Sequence, residues 1–162
     1  MTQEQTEDFL SIIGDLLDSE PVQRMKLYTH HGHTTCYAHC VSVAYYSYEL
    51  AISSGANVDL RSLVRGALLH DLFLYDWREK NAGHPQQFHG FQHPAIALKN
   101  AEKYFDIDGI QHDIIIHHMW PLTPVPPLTK EGCIVTMADK YCAVAERFCF
   151  MPAHSELGGK EF

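Results

Sequence analysis

Long apolar runs are missing from this chain. The longest uninterrupted ones are a handful of residues, far short of the ~20 that span a bilayer. Basic charge is also scarce. Twelve Lys and Arg stand against 20 Asp and Glu, a formal net charge of −8 at pH 7. So acidic a surface lacks the basic patches that hold nucleic-acid polymers or anionic membranes. The opening residues, MTQEQTED, contain neither a basic n-region nor an apolar h-region. The expectation is therefore no secretory signal and a cytoplasmic location. Strand-like alternation is absent, as is any internal repeat. No G-x-S-x-G elbow and no Gly-rich phosphate loop occur. The five cysteines, Cys36, Cys40, Cys133, Cys142 and Cys149, are odd in number and complete no zinc-finger pattern. They read as free, inert thiols. A Cys–His nucleophile built on His39 with Cys36 or Cys40 is disfavoured, because residues one apart on a helix do not face each other.

What remains is helical and rich in histidine. The 162 residues suffice for one domain with a real core. Residues 4–18 carry Phe9, Ile12, Ile13, Leu16 and Leu17 as a stripe at helical spacing. A short helix follows to about Leu27, and then a His- and Gly-containing loop from Tyr28 to Thr34. Thr34 or Thr35 caps a helix that Gly55 ends, and Asp59 caps the next, expected over Leu60 to about Phe73. Residues 75–90 read as a long loop. A helix is expected from about Pro94 to Tyr104, with Pro in its first turn. Another opens at Asp106 or Asp108 and ends near His118. The Pro-rich segment 121–127 is helix-free, and a last helix covers about 131–149. A tail from Pro152 reads as poorly ordered.

There are 12 histidines, as many as all Lys and Arg together. His39, the adjacent pair His70-Asp71, His93, the pair His117-His118, and Asp139 fall on or beside these helices. Singly, each histidine reads as a core residue bonded to a backbone carbonyl. The carboxylates resist that reading. Asp71 is embedded in LLHDLFL and Asp139 lies on an apolar helical face, and a lone buried carboxylate is costly unless paired or metal-bound. Together these residues form a ligand set of the kind helical bundles build in their cores. Mixed imidazole and carboxylate suits Fe, Mn, Co, Ni or Zn better than Ca or Mg. His70 can hold one metal while Asp71 bridges to a second, whose sphere His93 and the His117/His118 pair complete.

The order His39, His70-Asp71, Asp139, carried by TTCYAHCVSVAYY, RGALLHDLFLYDW, GFQHPAIALKNA, IIIHHMW and IVTMADKY, resembles the HD-domain superfamily of metal-dependent phosphohydrolases. The resemblance implies an all-α HD-domain helical bundle of roughly six to seven helices. It divides the chain into an N-terminal helical extension (1–27), the HD domain (28–149) and a tail (150–162). It implies His39, His70, Asp71 and Asp139 as first-metal ligands, and His93, His117 and His118 for a further metal. One or two divalent transition metals, a small phosphorylated substrate and hydrolysis of a phosphate ester or anhydride by a metal-activated water follow from it, with Asp71 and His70 at the catalytic centre. Two departures bear on substrate. The HD pair is followed by Leu72-Phe73-Leu74 rather than Ile-Gly-Lys, so a common phosphate contact is absent. His118 is followed by Met119-Trp120-Pro121, unlike the signalling phosphodiesterases with a Gly-Tyr-Pro signature, which disfavours a cyclic dinucleotide. Candidate phosphate-binding cations are Arg65, Arg78, Lys80 and Lys140. His84 and His89 are proton donors or surface residues. Trp77 and Trp120 read as core aromatics, with base stacking as the other use. Two further readings stay open: an HD-fold di-iron oxygenase acting on a small molecule, and a non-catalytic metal-binding regulatory module. The oligomeric state is left open.

Overall fold

The computed structural model describes residues 1–30, 34–76 and 89–148. Trp77, Arg78, Lys80, His84, Cys149 and the tail 150–162 lie outside these, as does the side chain of His89. Among the described residues the chain is all-helical, as expected, with no named strand. Its helices are α1 (Gln3–Leu17), α2 (Glu20–Arg24), α3 (Cys36–Ser54), α4 (Leu60–Leu69), α5 (His89–Tyr104), α6 (Gly109–His117) and α7 (Lys130–Arg147), with a 3-10 turn at Met25–Leu27. Among the described residues no helix is long and apolar enough to cross a membrane.

The caps follow the chemistry of the sequence. Thr2 and Gln5 form a reciprocal capping box on α1, whose predicted stripe from Phe9 to Leu17 is buried. Thr35 Oγ1 accepts from the Ala38 N–H to open α3, and Gly55 closes it at φ 64°, a left-handed conformation that costs glycine little. Asp59, Asp108 and Thr129 cap α4, α6 and α7 in the same way. Helices α3 and α4 form the centre of the core, flanked by α1, α6 and α7. At Gly66 an added Cβ would meet Ile114 Cδ1 at 2.6 Å, so the absent side chain is what lets α4 lie close against α6.

Two helix boundaries differ from expectation, and both concern the site. α4 stops at Leu69, a turn short of Phe73. The backbone turns at His70 and Asp71, Phe73 N–H donates to the Asp71 carbonyl at 2.8 Å, and Leu74 takes φ 52°. The apolar run LLHDLFL hid this turn, because both its helical and its turned parts are buried. α5 begins at His89, so Pro94 lies inside the helix rather than in its first turn. Pro94 leaves the Gly90 carbonyl without its i+4 donor.

Candidate metal centre

Six packed segments deliver the donors. His30 N–H donates to the Thr34 carbonyl at 2.9 Å and Cys36 N–H to the Tyr28 carbonyl at 2.8 Å. This places the His30 ring flat on that of His39, centroids 3.8 Å apart. His39 comes from the first turn of α3. His70 and Asp71 come from the turn that ends α4, His93 and His118 from α5 and the end of α6, and Asp139 from α7. Each of His39, His70, Asp71, His93, His118 and Asp139 is buried.

The imidazoles are oriented from behind. His70 Nδ1–H donates to the Ala67 carbonyl at 2.7 Å. His118 Nδ1–H donates to the Ile115 carbonyl at 2.8 Å. Both residues are C-caps, where the last-turn carbonyls lack intrahelical donors. His39 Nδ1–H donates to Glu146 Oε1 at 2.9 Å. In all three the Nε2 atom is therefore the one aimed inward.

The carboxylates meet those atoms. Asp139 Oδ1 is 3.1 Å from His39 Nε2 and 3.8 Å from His70 Nε2. Asp71 faces two ways. Its Oδ2 is 2.7 Å from His30 Nε2 and 3.5 Å from His70 Nε2. Its Oδ1 is 3.1 Å from His93 Nε2 and 3.4 Å from His118 Nε2. Burial raises the pKa of both aspartates, but the surrounding imidazoles outweigh it. Asp71 is held well below the ordinary carboxylate range, chiefly by His70 and His93, and Asp139 is also held low, by His39 and His70. For His39 burial lowers the pKa, and the hydrogen bonds to Asp139 and Glu146 overturn that and raise it well above the ordinary value.

These atoms fit a divalent cation. His39, His70 and Asp139 offer one donor atom each within 4.8 Å of one another, as do His70, Asp71 and His118. His70 Nε2 is buried with no hydrogen-bond partner among the described residues. With Nδ1 carrying the proton, it presents a lone pair to two carboxylate oxygens. His93 Nε2 and His118 Nε2 stand 2.8 Å apart. A proton on His93 Nε2 would make this a hydrogen bond to His118, and with both nitrogens unprotonated the pair can ligate one metal; neutral imidazole with carboxylate is a transition-metal donor set.

Other residues named from the sequence lie elsewhere. His117 pairs through Nδ1 with Asp113 at 2.8 Å, one turn back on α6, and belongs to none of the converging groups. Adjacent helical residues point about 100° apart, so with His118 inward His117 faces Asp113. Arg65 is held by the Ile12 carbonyl at 3.0 Å and by Asp15 at 2.6 Å, which ties α4 to α1. Trp120 is 43% exposed and takes no core role. Lys140 does reach the site: its Nζ is 3.1 Å from the His118 carbonyl and 3.4 Å from Asp139 Oδ2. It lines a cavity of about 370 Å³ together with His30, Asp71, His93, His118 and Asp139, walled by Met119, Ala143 and Val144. Cys36 and Cys40 are buried, and burial pushes both thiols up, so neither is a nucleophile.

Sequence reasoning missed His30 and Glu146. His30 sits in a loop, where no periodicity marks a facing. Glu146 left a usable signal, since it follows Asp139 by two helical turns and so shares its face.

An all-helical bundle with interior His and Asp donors from several helices defines a metalloprotein class. The HD domain family model matches residues 36–144, and the chain belongs to that family, a superfamily of metal-dependent hydrolase type. No curated protein and no solved structure matches the chain.

Proposed function

We propose that the chain is a metal-dependent phosphohydrolase that cleaves a phosphate ester or anhydride of a small molecule. The observation that carries this reading is the two-way carboxylate of Asp71. Its Oδ2 faces His70 and its Oδ1 faces His93 and His118. His39, His70, Asp139 and Asp71 would hold one ion, and His93, His118 and the other oxygen of Asp71 a second. When bound, such ions lower the pKa of a coordinated water toward neutrality and neutralise phosphoryl charge. The chain's own residues do the rest. Lys140 Nζ lies at the cavity wall beside Asp139, where an ammonium meets a phosphoryl oxygen. Met119, Ala143 and Val144 give the organic part of the substrate an apolar wall. The cavity is of small-molecule size.

The test is phosphate release from nucleoside mono- and triphosphates and sugar phosphates. The purified chain is first reconstituted with Mn, Fe, Co, Ni or Zn, and oxygen uptake is recorded in parallel. Metal-dependent release that disappears in Asp71→Ala supports the proposal. Oxygen uptake without phosphate release, or metal binding without turnover of any compound, overturns it.

A further inference from the structure

We infer that Glu146 is a positioning residue of the metal centre, holding His39 as the tautomer whose Nε2 can take the metal. The inference rests on the metal-bound reading of the site. It concerns a residue just outside the segment, 36–144, that the family model matches.

The three inward histidines solve one problem in two ways. A ligating imidazole must keep its proton on the other nitrogen, and a fixed acceptor there sets tautomer and ring angle together. His70 and His118 cap their helices and use spare last-turn carbonyls, those of Ala67 and Ile115. His39 has no such carbonyl. It sits at the start of α3, where the carbonyls of the preceding turn are committed, Thr35 O to the His39 N–H itself at 3.0 Å and the next ones to the helix. Its acceptor must come from another element, and Glu146 Oε1 supplies it at 2.9 Å.

Among the described residues Glu146 converges with His30 and His39, one donor atom each within 4.8 Å of one another, and it makes its hydrogen bond to His39. Its side chain is 2% exposed, and burying a carboxylate is costly without compensation. It lies in the last turn of α7, where the helix dipole disfavours negative charge. Its second oxygen, Oε2, is buried with no hydrogen-bond partner among the described residues. A structural carboxylate would use both oxygens; this one is spent on His39. The spacing on α7 completes the argument. Asp139 and Glu146 stand two turns apart on one face, so one helix sets a carboxylate at each nitrogen of His39, Asp139 at Nε2 and Glu146 at Nδ1. The first is a candidate ligand and the second its brace.

The experiment is a titration of Co(II) into metal-free full-length protein, followed by the visible absorption of the bound ion. Wild type, Glu146→Ala and Glu146→Gln are compared, with thermal unfolding of each metal-free form. Glu146→Ala is expected to bind about 10–100-fold more weakly with an altered absorption band. Glu146→Gln keeps an oxygen that accepts from Nδ1–H, so it should recover most of the affinity and the wild-type band. The metal-free unfolding midpoint should fall in Glu146→Ala, which leaves the buried His39 Nδ1–H without its acceptor, and fall less in Glu146→Gln, so the Co(II) affinity and band rather than the midpoint carry the test. Equal Co(II) affinity in all three proteins would overturn the positioning role alone. So would a lowered metal-free midpoint with unchanged affinity, the mark of a merely structural residue. A wild type that binds no Co(II) would overturn the proposed function with it.

Discussion

His117 and His118 are neighbours with opposite duties. His118 turns Nε2 to Asp71 Oδ1 at 3.4 Å, and His117 turns Nδ1 to Asp113 at 2.8 Å. His118→Gln should lower the metal content of reconstituted protein by up to one ion per chain. His117→Gln should leave it unchanged and cost about 1.5–3 kcal/mol of stability, the worth of a hydrogen bond to a charged group. Elemental analysis beside thermal unfolding separates the two; metal loss in the His117 variant would place that residue at the centre after all. The pair also marks how far a sequence speaks at this scale. The buried carboxylates Asp71 and Asp139 were legible because their apolar surroundings made a lone charge too costly. Which histidine of a pair faces inward depends on the rotation of α6 against α4, and the apolar residues before the pair, Ile114 to Ile116, leave that rotation open. His30 was not legible, because its place comes from non-helical contacts, the backbone bond to Thr34 and the stacking of its ring on His39.

At the scale of elements, the stripe of α1 and the caps of α3, α4 and α6 were legible in the sequence, since capping and periodicity are local. The end of α4 was not, because burial continues through the turn. Two contacts set the spacing of α4, α6 and α7. At Gly66 a Cβ would come 3.3 Å from Ile114 Cβ and closer to its Cδ1, so Gly66→Ala forces α6 outward against the gain in helix propensity. Overpacking of this kind costs about 1–3 kcal/mol, measurable as a lower denaturant midpoint at unchanged slope. The second contact is Asp113. It accepts from the N–H groups of Leu128 and Thr129 and from the Thr129 hydroxyl, and pairs with His117. It thereby fastens the start of α7 to α6. An added Cβ at Gly132 would lie 2.7 Å from its Oδ2, so α7 approaches closely there too. Burial raises the Asp113 pKa, but the Thr129 and His117 hydrogen bonds outweigh it and hold it low. A depressed folded pKa gives stability that is full above the unfolded value, about 3.9, and is lost as pH falls through the folded value. Asp113→Asn should therefore flatten the acid limb of stability below about pH 4. Urea unfolding of both proteins from pH 3 to 7 checks this, and parallel curves would dismiss Asp113 as the titrating group.

For the whole molecule, the decisive fact is that the donors belong to the fold and not to any segment. His39, His70, Asp71, His93, His118 and Asp139 span 100 residues from first to last and come together only when α3 to α7 have packed. The unfolded chain offers no comparable site, so a metal that binds the native centre stabilises it by mass action. At a free concentration one hundred times the dissociation constant the gain is about 2.7 kcal/mol. For a chain of this length that raises the unfolding midpoint by roughly 5–11 °C. The metal-free protein also bears the cost of Asp71 and Asp139 buried at close range, compensated by the surrounding imidazoles and, at Asp139, by Lys140. Melting curves with Mn, Co or Zn and with a chelator should therefore differ by that amount, and the difference should vanish in Asp71→Ala. If the metal raised the midpoint of the Asp71 variant equally, the ion would be binding elsewhere, and the convergence of these side chains would be a hydrogen-bonded core rather than a metal centre.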